Sequence, residues 1–176
     1  MRLILQGFKE PEEWDLGPIS SPVAKLSTVR GMIFRSDRGA HEEVISMIDI
    51  SYAFLQSNKY SDDDEPRYVS LKASKGSARH VFKLLGPLYG QRSAPRAWYD
   101  TLTEWLEEVG YVRAKNDKCL YTHKSGHQIV LHVDDMLCRG VTARIKKTQS
   151  VVLVRYYANE KIWYEYDRLF YMDRDN

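Results

Sequence analysis

Residues 128–140, QIVLHVDDMLCRG, decide the fold. Ile129, Val130, Leu131 and Val133 make a β-branched apolar run, the pattern of a buried strand. The run stops at two adjacent carboxylates, Asp134 and Asp135, and a second short apolar run, Met136-Leu137-Cys138, follows at once. The simplest geometry is a β-hairpin with the acid pair at its tight turn. Asp suits such turns, so shape alone calls for no more than an ordinary hairpin loop. A third acid changes the balance: Asp49 closes another apolar run, Val44-Ile45-Ser46-Met47-Ile48. Two strand ends carrying carboxylates, if adjacent in one sheet, make a hard, oxygen-only site, which suits Mg2+ and phosphoryl transfer.

Outward from this stretch, the 176 residues suffice for one domain, or one domain with a small appendage. The apolar fraction is ordinary for a globular core. No uninterrupted apolar stretch is long enough to span a bilayer. The N-terminal MRLILQGF lacks the cleavage site of a signal peptide. Two cysteines, Cys119 and Cys138, give no disulfide framework and suit a reducing compartment. A net charge of +2 is too small to argue for nucleic acid by itself. Arg139, Arg144, Lys146, Lys147 and Arg155 occur with no acid among them. Such a run is ordinarily a solvated face; beside a metal site it could also contact a phosphate backbone.

Arg2 to Phe8 alternates weakly and predicts an edge strand, and the proline-containing stretch from Lys9 to Pro22 predicts a loop. A helix is expected from Ser27 or Thr28, with Val29, Met32 and Ile33 on one side and Gly39 closing it. After the Asp49 strand, Ser51 to Gln56 reads as a short helix or turn. The acid cluster Asp62-Asp63-Asp64-Glu65 reads as a solvated loop, because carboxylates so close together repel and stay in water. Tyr68 to Leu71 and His80 to Leu84 predict a hairpin. Beyond Pro95, the apolar side chains of Trp98, Leu102, Trp105, Leu106 and Val109 share one helical face, with Gly110 as the stop. Both tryptophans read as core. Cys119 to Tyr121 is a strand that returns through Lys124-Ser125-Gly126, and the flanking His123 and His127 are expected at the surface. There is no internal repeat and no glycine-rich phosphate loop. The order predicts an α+β fold with helices packed on one face of an antiparallel sheet.

Four blocks occur in sequence: SPVAKLSTVR (21–30), MIDISYAFL (47–55), LYGQRSAPRAWY (88–99) and HVDD (132–135), with NDKCLY (116–121) between the last two. Together they resemble the reverse transcriptase domain of copia-type retrotransposons. That family's segments run SPV-x-x-x-T-x-R, MD-x-x-x-AFL, LYGL-x-x-APRAWY and YVDD. The likeness covers residues 1–140, as a fingers and palm domain, and residues 141–176 read as a divergent C-terminal tail. His132 stands where the family has Tyr.

The resemblance implies a polymerase palm with partial fingers, a truncated right-hand architecture. Its reaction is RNA-directed DNA synthesis, nucleotidyl transfer from a deoxynucleoside triphosphate to a primer 3′-hydroxyl. Asp49, Asp134 and Asp135 would surround two Mg2+ ions, or Mn2+, about 3.5–4 Å apart. Asp49 and Asp134 would bridge both ions, Asp135 would bind more weakly or support the turn, and the Ile50 carbonyl would be a further ligand. Phe54 is either a steric gate under the sugar or simply core. Gly90, Gln91 and Arg92 would lie over the template and incoming nucleotide, and Arg2 would contact triphosphate. His132 is not expected as a ligand, since Mg2+ prefers oxygen.

The implied partners are an RNA or DNA primer–template and the nucleotide, with RNase H and integrase segments of a larger polyprotein and no membrane. The implied location is a cytoplasmic virus-like particle or the nucleus. Two other readings use the same residues: a catalytically silent remnant that keeps only the fold or nucleic-acid binding, and a metal nuclease. The aromatic residues Tyr156, Tyr157, Trp163, Tyr164, Tyr166, Phe170 and Tyr171 either stack on bases or form a packing surface.

Overall fold

The apolar face that begins at Trp98 forms the helix the sheet is built against. A computed structural model describes residues 4–11, 16–35, 43–61, 63–72, 79–156 and 158–163. Among the described residues, three α-helices and eight strands follow in chain order. They are α1 (Leu26–Arg35), β1 (Glu43–Ile50), β2 (Tyr68–Lys72), β3 (Arg79–Lys83), α2 (Ala94–Glu108), β4 (Tyr111–Arg113), β5 (Leu120–His123), β6 (Gln128–His132), β7 (Asp135–Val141), α3 (Thr142–Arg155) and β8 (Ala158–Trp163). Six strands form one sheet in the order β4-β5-β6-β7-β1-β8, every neighbour antiparallel. β2 and β3 form a separate hairpin, as expected. The α+β class and the antiparallel sheet are therefore as the sequence indicates.

Pro95 sits in the first turn of α2, where a missing N–H loses nothing. Trp98, Leu102, Trp105 and Leu106 are buried, as their spacing demands. Val109 lies beyond the helix end and is 38% exposed, because the chain turns there at Gly110, whose φ of +91° only glycine adopts readily. In β1, Ser46, Ile48 and Ile50 are buried while Met47 and Asp49 are half-buried on the other face, the period-two signature of a strand. Ile48 and Ile50 join Met136, Cys138, Ile129 and Leu131 in one core with the α2 tryptophans and, from α3, Val152. Both α2 and α3 thus cover the same face of the sheet.

Three expectations need correction. Residues 4–8 form no strand: the segment turns as a 3-10 helix at Gly7–Lys9 and is tied to the rest of the chain by the bond from Leu5 N to Tyr89 O at 2.7 Å. Arg2 itself lies outside the described residues, as do Asp62 and Gly39. His123 and His127 are buried, not at the surface, because Tyr111 covers them: its ring lies 5.3 Å from that of His123 and its hydroxyl bonds His127, while the turn between them stays exposed. Arg139 is no solvated cation: it is buried, donating to Gln128 Oε1 at 3.0 Å and paired with Glu43.

Beyond residue 140, the described residues 141–156 and 158–163 add to the sheet and its cover. α3 packs on β7 and β1, and β8 pairs with β1 from Ile45↔Trp163 to Ile50↔Ala158. Tyr156 is a packing residue: its ring meets Trp98 at 5.3 Å and Trp105 at 5.6 Å, both edge to face. Tyr157 and the aromatics beyond Trp163 lie outside the described residues. No described helix is long and apolar enough to cross a membrane.

Candidate active site

β1 and β7 are adjacent, and their register sets Asp49 directly opposite Asp135. Directly opposed residues of an antiparallel pair share a face. His132 is opposite Asp135 in turn, so His132, Asp135 and Asp49 make a row across three strands. The row lies on the face turned away from α2 and α3, since Ile48 and Ile50 on either side of Asp49 point into that core. The hairpin turn is Val133-Asp134, one residue earlier than the acid pair suggests, and Asp135 already begins β7. The Asp134 carbonyl accepts the Ile50 amide at 2.9 Å, which ties the tip to the residue after Asp49.

All three carboxylates are half-buried. The donor set is oxygen only, the chemistry a hard divalent cation requires. Among the described residues no group of three or more His, Cys, Asp or Glu converges closely enough to hold a metal ion. Opposed like charges repel, and a bound cation would offset that repulsion.

Phe54 lies in a 3-10 turn at Ala53–Gln56, half-buried against the core, with its ring 4.8 Å from that of Tyr89. Tyr89 stands in the LYG block, but nothing in the sequence announces that it meets Phe54. Gly90 has φ +91°, and a β-carbon there would collide with the Leu5 carbonyl. Its need for glycine is thus met within the chain. Gln91 is buried, its Oε1 accepting from Leu88 N at 2.6 Å and Tyr60 hydroxyl at 3.1 Å, so it holds the loop together. Arg92 is exposed, with its backbone N–H donating to Glu10 at 3.2 Å.

Two contacts were invisible to sequence reading. The buried Asp117 carboxylate accepts Thr28 Oγ1 at 2.5 Å, Lys25 N at 3.0 Å and Cys119 N at 2.9 Å. It therefore caps α1 from across the molecule and joins the SPVAKLSTVR and NDKCLY segments. Burial alone would raise this carboxyl; the three hydrogen bonds outweigh it and hold it below its ordinary value. The second contact is from Trp98 Nε1 to the Val133 carbonyl, 2.8 Å. A tryptophan at core spacing carries no signal for it.

This sheet, with acids at the adjacent ends of β1 and the β6–β7 hairpin, is compatible with a nucleotide polymerase domain. The family described as reverse transcriptase (RNA-dependent DNA polymerase) matches residues 1–157, and the chain belongs to that family, in its copia-type form. It is 32% identical over 146 residues to the retrovirus-related Pol polyprotein from transposon RE1 of Arabidopsis thaliana, covering 79% of this chain and 10% of that protein. It is 29% identical over 167 residues to the corresponding polyprotein from transposon RE2 of the same plant, covering 90% and 11%. Against the polyprotein from transposon TNT 1-94 of Nicotiana tabacum it is 28% identical over 156 residues, covering 82% and 11%. The chain spans about a tenth of the length of these relatives. No solved structure matches it.

Proposed function

We propose that this chain carries the polymerase centre of a retrotransposon Pol polyprotein, a palm with part of the fingers that extends a DNA primer on an RNA template. The observation that supports this best is the register Asp49↔Asp135, with Asp134 tied to Ile50 at the same end of the sheet. Asp49, Asp134 and Asp135 are the residues that would hold the two divalent cations, with the Ile50 carbonyl beside them. Bound there, Mg2+ would acidify the primer 3′-hydroxyl and neutralise the triphosphate and departing pyrophosphate. The chain's own part is positioning, because phosphoryl transfer asks little covalent work of the protein. The β1–β7 pairing sets Asp49 opposite Asp135, with Asp134 in the adjoining turn. Phe54, whose ring packs 4.8 Å from that of Tyr89, would limit the sugar edge of the nucleotide, and exposed Arg92 would reach a phosphate. The test is Mg2+-dependent extension of a primer on an RNA template. Wild type extends, and Asp134→Asn falls by about a hundredfold or more; equal extension by both would remove the assigned role.

A second reading, a silent domain that binds primer–template without turnover, has one observation in its favour: His132, in line with Asp135 and Asp49, replaces the family's tyrosine. Salt-dependent affinity for a primer–template with no incorporation at any Mg2+ concentration would favour it.

A further inference from the structure

The hairpin tip is held in a conformation its sequence resists. Val133 has φ +57°, in the left-handed region. A β-branched residue there is an outlier, and the first residue of a tight hairpin turn is where glycine is usual. Such a backbone persists only where its surroundings fix it. Two bonds do so. Ile50 N donates to the Asp134 carbonyl at 2.9 Å from β1, and Trp98 Nε1 donates to the Val133 carbonyl at 2.8 Å from α2. The indole itself is immobilised: it is 1% exposed and braced edge to face by Tyr156.

We propose that Trp98 is a positioning residue, whose indole N–H locks the Val133-Asp134 turn and so aims the Asp134 and Asp135 carboxylates. The aim matters through the polymerase reading above, on which the metal-binding part of the proposal rests. Without the bond, the Ile50 bond alone opposes relaxation of Val133 toward the ordinary φ of a valine. Asp134 would then turn with it, while the core packing of the ring would survive. The role is therefore separable from packing: it belongs to one N–H, which phenylalanine lacks.

Three measurements on the whole chain test it. First, hydrogen exchange of the Trp98 indole N–H in the wild type should be slower than that of an exposed indole by about a hundredfold or more. Exchange as fast as a free indole would overturn the proposal whether or not any variant folds. Second, Trp98→Phe should move the amide resonances of Val133, Asp134 and Asp135 and leave those of β4 and β5 in place. Third, calorimetry with Mn2+ alone should show a dissociation constant raised about three- to tenfold in Trp98→Phe, the size of one neutral hydrogen bond. In a Val133→Gly background, where the turn is unstrained, Trp98→Phe should change Mn2+ affinity by less than about twofold. A folded Trp98→Phe with unmoved turn resonances and unchanged Mn2+ affinity overturns the role. Equal loss of affinity in both backgrounds does so too, since it would mean that Trp98 acts through packing. If the wild type binds no Mn2+, the polymerase reading fails, while the exchange and resonance measurements still decide whether Trp98 holds the turn.

Discussion

Asp117 shows how much one carboxylate can organise. Its three hydrogen bonds replace a local cap for α1, which has no acid of its own in the first turn. A buried carboxylate left with fewer partners is costly, and so are the donors it leaves behind. Asp117→Ala should therefore lower unfolding free energy by about 2–3 kcal/mol, read as a urea midpoint. Asp117→Asn tests the charge separately. Because the folded carboxyl sits below its ordinary value, its stabilisation is complete above the unfolded value near ~4 and is lost as pH falls through the folded value. The wild type should lose stability on acidification below about pH 4 more steeply than Asp117→Asn. Parallel curves for the two proteins would remove the carboxylate's role. Nothing at position 117 could have revealed this from sequence, since Thr28 is 89 residues away and the link is made by the tertiary fold.

The elements were legible where a period repeats. β1, β6 and α2 follow from alternation, from a β-branched run and from an apolar face, because burial selects side chains at the spacing of the backbone. The N-terminal segment fails for the same reason: the seven residues from Arg2 to Phe8 alternate only weakly, and the described ones form no strand. What holds that segment is the Leu5 N to Tyr89 O bond and the contact of Leu5 and Gly7 with Gly90. This yields a test of whether Gly90 serves the fold or the nucleotide. Gly90→Ala places a β-carbon against the Leu5 carbonyl at a φ that alanine resists. It should cost about 2–4 kcal/mol and make residues 4–10 the first site of limited proteolysis. A fully stable Gly90→Ala protein with a raised nucleotide KM would instead return Gly90 to the substrate. The candidate site was legible as three acids but not as a geometry. Which acid faces Asp49 depends on a register that places the turn at Val133-Asp134, and that turn is held by bonds from Ile50 and Trp98 against the preference of a valine, which no local pattern shows.

At the scale of the molecule, the helix-covered face of the sheet encloses a histidine that the chain must keep neutral. His127 is 1% exposed, its Nδ1 is 2.6 Å from the Tyr111 hydroxyl, and that hydroxyl is 3.1 Å from Thr148 of α3. The network thus ties β4 and α3 to His127, the residue that leads into β6, beneath Gly140, where a β-carbon would press on the His127 ring at 2.7 Å. Burial pushes the imidazole down to about 4, and the nearby Arg144 and His123 act in the same direction. The sign follows from proton binding. Between about pH 6.5 and 4 the unfolded chain takes up a proton at this histidine that the folded chain refuses, so stability is complete above the unfolded value and falls with pH through that window. The expected loss from pH 7 to pH 4 is roughly 1–3 kcal/mol. His127→Gln keeps a side-chain amide able to hydrogen-bond Tyr111 and removes the titration. Urea unfolding at pH 7.0, 5.5 and 4.5 should show a falling midpoint for the wild type and a nearly flat one for His127→Gln. Loss of the same size in both would mean that acid sensitivity lies elsewhere. Because the window is above the one in which Asp117 loses its charge, the two variants separate along the pH axis: the neutral-to-mildly-acid decline belongs to the seam around His127, and the strongly acid decline to the α1 seam.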